Sequence, residues 1–283
     1  MGTPSMPAAV EPSAGSAPTG TEPGILHPTV AHQRFDYRRH RPNTRLAPFV
    51  ENFWTITWDL RGQDPYTALV LPYPSVNLSV TNTEADVTGL TRTRYQRFLA
   101  GQGYVVGARF RPGCFRPFMR GPVSSLTDTH RPISEVLGRD TAALEQTVAA
   151  TSDRDVWVAE LSDFLLVDPP EPDPLAEQLA ELVERIAARP DIIRVAQLAT
   201  LTGLSERRLQ RLFVEYVGAG PKWVIVRCRL QDAAARAAAD SHVDWAALAD
   251  ELGFSDQAHL TRAFSRTIGT PPAAYAAVLR SGR

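Results

Sequence analysis

The sequence predicts an α+β N-terminal domain followed by an all-α C-terminal domain, the latter with two helix-turn-helix units joined by a linking helix. Three observations predict it. Between Thr55 and Phe115, short runs rich in β-branched and aromatic residues are punctuated by Gly and Pro, the pattern of strands and turns. At 168–174, DPPEPDP interposes prolines and acids that neither helix nor strand interiors tolerate, which marks a stiff linker. Beyond it, apolar residues recur at helical spacing and one phrase is written twice, GLSERRLQRLF at 203–213 and GFSDQAHLTRAF at 253–264. Each copy opens with Gly, an apolar residue and Ser. Each then sets Leu, Arg and Phe in one order: Leu209, Arg211 and Phe213, then Leu260, Arg262 and Phe264. Two copies about fifty residues apart read as a duplicated functional unit rather than an array.

The expected divisions are a disordered tail over 1–33, an α+β sensing or dimerisation domain over 34–167, the linker over 168–174 and the helical domain over 175–283. The tail is rich in Pro, Ala, Ser, Thr and Gly and lacks the basic start and apolar core of a signal peptide. RLAPFVENFW, ending at Trp54, reads as a short amphipathic helix from near Pro48, or a helix running into a strand, and TITWDL as a strand. Two strands follow in YTALVLPYPSVNLSVTN, broken at Pro72 and Pro74, then more in ADVTGL and 94–115, where YVVGARF is the clearest. Residues 121–150 read as helical, with Pro132 at a helix start and Asp140 as a cap. In 152–168, Val156, Val158, Leu161, Phe164 and Leu165 share most of one helix face.

Composition bounds the function. With 43% hydrophobic and 22% charged residues, the chain has the material of a soluble globular protein, and no apolar run approaches a membrane span. The net charge of −1 gives no global pull toward nucleic acid, and 175–283 holds 14 Lys/Arg against 12 Asp/Glu. Affinity for DNA must therefore come from where the charges sit. Lys222 is the only Lys, so the cations are almost all Arg, which bonds phosphate or guanine bidentately. Cys114 and Cys228 lie far apart, with neither disulfide nor metal-ligand spacing, which fits a reducing cytoplasm.

The repeated phrase carries the chemistry. In the first copy, VAQLATL ends near Gly203, Ser205 caps a second helix, and Leu209, Leu212, Phe213 and Tyr216 face inward. Arg207, Arg208, Gln210 and Arg211 are left outside. In the second, Asp244 caps a helix, Gly253 turns the chain, and Ser255 or Asp256 caps the next helix. Ala258, Leu260, Ala263 and Phe264 are inner candidates there, and Gln257, His259, Thr261, Arg262 and Arg266 outer ones. The second copy is one residue longer between Gly and Leu. Two short helices about a Gly turn, the second exposing Arg and Gln, form a helix-turn-helix whose second helix enters the major groove. There Arg pairs with guanine and Gln with adenine. A surface ion pair is the alternative for Arg211 and Arg262, and a solvated face for His259. Between the copies, 221–239 forms a 19-residue helix starting at Pro221, about 28 Å long at roughly 1.5 Å per residue. Successive major grooves are about 34 Å apart, so one strut can hold two readers near that spacing.

These residues resemble the DNA-binding domain of the AraC/XylS family of bacterial transcription regulators. GLSERRLQRLF, GAGPKWVIVRCRLQDA and above all GFSDQAHLTRAFSRTIGTPPAAYAA carry the resemblance, down to Gly269 and Pro271-Pro272. It covers 175–280 and implies seven helices, two helix-turn-helix units and DNA contacts from Arg207, Gln210 and Arg211, then Gln257, His259, Thr261 and Arg262. Ala258 stands where some members place a larger polar residue, and Leu260 where an aromatic is common. More weakly, LAPFVENFWTI, VLPYPSVNLSV and GARFRPGCFRPFMRGPVSSLTD resemble the N-terminal domain of one AraC-like branch, which implies sensing or dimerisation.

In the N-terminal domain, Phe53, Trp54, Trp58, Tyr73, Phe98 and Phe110 either line an apolar pocket or form core, and Arg109 and Arg111 either meet an anionic ligand or stand on the surface. Of these, Trp54, Trp58, Tyr73 and Arg109 are the ligand-binding candidates. No cofactor, metal site or catalytic residue is expected; no HxH pair or phosphate loop occurs. The alternatives are an enzyme or thiol-based sensor using Cys114, or a helical protein that binds partners without DNA. Expected partners are double-stranded DNA, with RNA polymerase, a small-molecule effector and a second copy of the chain as further candidates, and no membrane.

Overall fold

A computed structural model describes residues 31–71, 73–239 and 242–281. The expected tail lies outside these residues up to position 30. Its end departs from that expectation: Ala31 is 1% exposed and packs with Phe35, Leu60 and Leu99.

The N-terminal half begins with strands β1 (Asp36–His40), β2 (Val50–Asp59), β3 (Tyr66–Val70) and β4 (Asn77–Thr81). Strands β5 (Ala85–Thr88), β6 (Tyr95–Leu99), β7 (Gln102–Phe110) and β8 (His130–Pro132) follow. Six form an antiparallel sheet in the order β1-β2-β7-β4-β5-β8, while β3 and β6 pair separately. Alternation assigns the faces. Phe53, Leu78, Val80, Val106, Ala108 and Phe110 point to a core closed by α1 (Ile133–Leu137), α2 (Ala142–Ala150) and α3 (Arg154–Leu166). Trp157 of α3 is its largest plug, stacked on Tyr104 at 4.7 Å and donating from Nε1 to the Val148 carbonyl at 3.0 Å. The other face carries Trp54, Ile56, Trp58, Ser79 and Arg109.

Several expectations change here. The helix near Pro48 is absent. Asn43 Oδ1 accepts from the amides of Arg45 and Leu46 in a turn, and the chain is drawn into strand by β7 from Val50 and by β1 as well from Phe53. Within 121–150, His130–Pro132 is an edge strand and only 133–137 and 142–150 are α-helical. In α3, Trp157 takes the buried position while Val156 is 37% exposed. Phe53 and Phe110 belong to the core, and Phe98 is 66% exposed.

The C-terminal half has seven helices among the described residues: α4 (Pro174–Ala188), α5 (Val195–Thr202), α6 (Glu206–Tyr216), α7 (Pro221–Ala239), α8 (Trp245–Glu251), α9 (Gln257–Ile268) and α10 (Pro272–Ser281). Helix α7 divides its apolar residues between two cores. Val224, Ile225 and Cys228 join Leu198, Leu209, Leu212 and Phe213. Leu230, Ala233 and Ala237 join Leu248, Leu260, Phe264 and Tyr275. Trp223 and Trp245 flank these cores, half-buried.

The halves are docked. Leu90 lies in the first C-terminal core with Tyr73 against it, and Leu71 lies in the second. Thr127 Oγ1 donates to the Gly218 carbonyl at 2.8 Å, Arg94 to the Ile268 carbonyl at 3.1 Å and Arg227 to the Arg92 carbonyl at 2.6 Å. The linker is also tied: Asp173 caps α4 through the Leu175 amide and accepts from Tyr216 OH at 2.9 Å.

Candidate functional site

Each repeated phrase folds into the same local device. In the first, Gly203 ends α5 at φ +70°, a conformation costly for a residue with a Cβ. Ser205 then caps α6, its hydroxyl accepting from the Arg208 amide at 3.3 Å. With Leu209, Leu212 and Phe213 buried, Arg207, Arg208, Gln210 and Arg211 are exposed on α6. The guanidinium groups of these three arginines make no hydrogen bond or ion pair with the described residues. Elsewhere in this half arginines are paired, as in Arg236–Glu251, Arg189–Asp191 and Arg229–Asp232. The ion-pair alternative for Arg211 therefore does not hold among the described residues. Gln210 lies against the turn after α6, its amide where a Cβ on Gly220 would stand.

In the second copy, Asp244 accepts from the Ala246 and Ala247 amides at 3.0 and 3.1 Å and starts α8. Gly253 turns at φ +76°, and Asp256 caps α9, accepting from the His259 amide at 2.6 Å. That bond holds the Asp256 carboxyl below its ordinary range. The extra residue relative to the first copy sits in the turn, so Asp256 takes the capping place held by Ser205 in α6. Leu260, Ala263, Phe264 and Thr267 are buried. Gln257, His259, Arg262 and Arg266 are exposed and Thr261 half-buried. Ala258, an inner candidate, is exposed, because two residues before Leu260 is about 200° around the helix. His259 is bound back to its own turn: Nδ1 lies 3.2 Å from Ser255 Oγ, and the ring meets Phe254 edge-on at 5.3 Å.

One neighbour of α6 has no local sequence signal. Arg116, Gly121, Pro122 and Ser124 of the N-terminal half form a cleft with Arg207, Gln210 and Arg211. Arg116 pairs with Glu215 at 3.6 Å and lies over the Tyr216 ring. Spatial closeness of segments about ninety residues apart has no periodicity to announce it.

The four ligand candidates of the N-terminal half come together. Trp54, Trp58, Tyr73 and Arg109 all line one cavity of about 450 Å³ between the six-stranded sheet and the β3–β6 pair. Arg111 does not join them; it pairs with Glu184 at 3.4 Å. Cys114 is 1% exposed under Ala176 and Ala180, and burial pushes its thiol up to about 11, away from the thiolate that nucleophilic or redox chemistry requires. No described helix is long and apolar enough to cross a membrane.

Residues 198–277 match a family described as a helix-turn-helix domain, HTH_18. These residues form an AraC-type helix-turn-helix domain. Ahead of this AraC-type domain, residues 38–132 match a domain of unknown function, DUF6597. No curated protein matches the chain. Among solved structures, the chain is similar to the DNA-binding domain of AdpA, a global transcriptional factor, in complex with a target DNA. That match has 29% identity, covers 39% of this chain and 96% of AdpA's, and has a TM-score of 0.33. Apo ToxT from Vibrio cholerae is 13% identical over 85% of this chain and 100% of its own, TM-score 0.39. ToxT bound to an unsaturated fatty acid is 14% identical over 84% and 96%, TM-score 0.36.

Proposed function

We propose that this chain is a sequence-specific, cytoplasmic transcription regulator that sets α6 and α9 in successive major grooves of double-stranded DNA. The observation that carries this reading is the pair of capped, Arg-bearing helices held by one 19-residue strut about 28 Å long at roughly 1.5 Å per residue. Arg207, Arg208, Gln210 and Arg211 serve the first half-site, and Gln257, Thr261 and Arg262 the second. His259 supports the second reader from its turn. Phosphate contacts set the register and base contacts select the sequence. Residues 34–167 act as the sensing module, with a small molecule in the cavity. RNA polymerase and a second copy of the chain are the further partners in this reading.

The test is a gel shift with DNA upstream of the chain's own gene. Specific binding should survive Cys114→Ala and fail in the Arg211→Ala/Arg262→Ala double variant. Undiminished binding by that folded double variant would remove α6 and α9 as the readers.

A further inference from the structure

The walls of the N-terminal cavity describe its occupant. Gly103 and Gly107 lie on the cavity face of β7. A Cβ on Gly107 would stand 2.3 Å from the Trp54 ring, and one on Gly103 2.2 Å from the Trp58 ring. The two indoles lie down on the strand because those glycines leave them room, and they wall the cavity with Ile56 and Val105. At about 450 Å³, the space suits a small organic molecule.

The cavity also holds an unanswered charge. Arg109 faces Asn77 across the β4–β7 register, and its Nε is buried without a hydrogen-bond partner. Ser75 is 3% exposed, and its Oγ is likewise unpartnered. Leaving buried donors unmatched is unfavourable, so these two groups are poised for an acceptor. The guanidinium of Arg97 is already paired with Glu84 at 3.3 Å. The Tyr73 phenol beside Arg109 is no rival anion, since burial raises its pKa and keeps it neutral. With Glu84 taken up by Arg97, Asp86 is left on the lining as the carboxylate that disfavours a second negative charge.

We infer that the cavity binds a planar aromatic monocarboxylate, its carboxylate on Arg109 and Ser75 and its ring against Trp54 and Trp58. This rests on the N-terminal half being the sensing module. Occupancy has a short route to the DNA-binding half. Ser75 and Tyr73 border the cavity, Tyr73 packs on the first helix-turn-helix core, and Leu71 is buried in the second.

The test is calorimetric titration of the full chain with benzoate, phenylacetate and indole-3-acetate, each beside its primary amide, and with phthalate as a dianion. At least one acid should bind at one per chain, ten-fold or more tighter than its amide and than phthalate. Arg109→Gln should erase the preference for acid over amide, and Trp54→Ala should weaken both. The inference falls if none of the three acids binds, if acid and amide bind alike, if phthalate binds tightest, or if folded Arg109→Gln keeps its acid affinity. The acid–amide comparison on the unaltered chain decides the matter even where a variant fails to fold. A gel shift on the same preparation separates the two readings. DNA binding without acid binding removes only this inference, whereas loss of specific DNA binding removes the regulator.

Discussion

The two helix-turn-helix units share a plan and differ in what stands around their second helices. Helix α6 presents three arginines free of ion pairs beside a cleft to the N-terminal half. Helix α9 presents Arg262 and Arg266, with His259 drawn back into its own turn. The N-terminal half holds the second unit through its buried parts, by Arg94 on the Ile268 carbonyl and Leu71 in the core. The lesson is that duplicated backbone geometry can present unequal surfaces: three exposed arginines on the first unit, and two with a histidine folded back on the second.

Five measurements break or sharpen that contrast. The largest effect should come from Arg207→Ala/Arg211→Ala, which should weaken specific DNA binding about a hundredfold or more at about 1–3 kcal/mol for each Arg contact, and flatten the salt dependence. Arg262→Ala should cost about tenfold by the same scale. Equal losses from the two would dissolve the asymmetry. Next, Asp244→Ala and Ser205→Ala should each lower stability in urea by about 1 kcal/mol through loss of a helix cap. His259→Ala should change affinity by less than about threefold, since one solvated hydrogen bond is worth about 0.5 kcal/mol. The Asp256 cap adds a pH dependence confined to the second reader. Its carboxyl is held below the reference value of 3.8, so its contribution is complete above 3.8 and is lost as pH falls through the depressed folded-state value. Amide exchange at His259 should rise there, with no such change at the Ser205-capped Arg208.

Much of this was legible because its causes are local. Gly203, Ser205, Asp244 and Gly253 act within a few residues of themselves, and Pro221 opens α7 where its missing N–H costs nothing. Alternation alone places Trp54 and Trp58 on the same face of β2. What could not be read depends on distant partners. Val50–Asp59 is a strand because β7 pairs with it from end to end and β1 joins from Phe53 to Thr57, overriding a helical reading of its first residues. His130–Pro132 is a strand only by pairing with β5. Neither the cleft at Arg116 nor the seats of Leu71 and Leu90 leave a trace in periodicity.

Seating Leu71 and Tyr73 in separate cores has a consequence for operator grammar. Two readers on a loose tether would accept half-sites at many distances. Here the strut α7 joins them on one side, and the segments around Leu71 and Leu90 brace them on the other. The chain should then behave as a ruler for helical phase. Inserting about five base pairs, half a turn of DNA, between the half-sites should cost nearly all cooperation between the readers, and about ten should not restore it, because the brace fixes reach as well as angle.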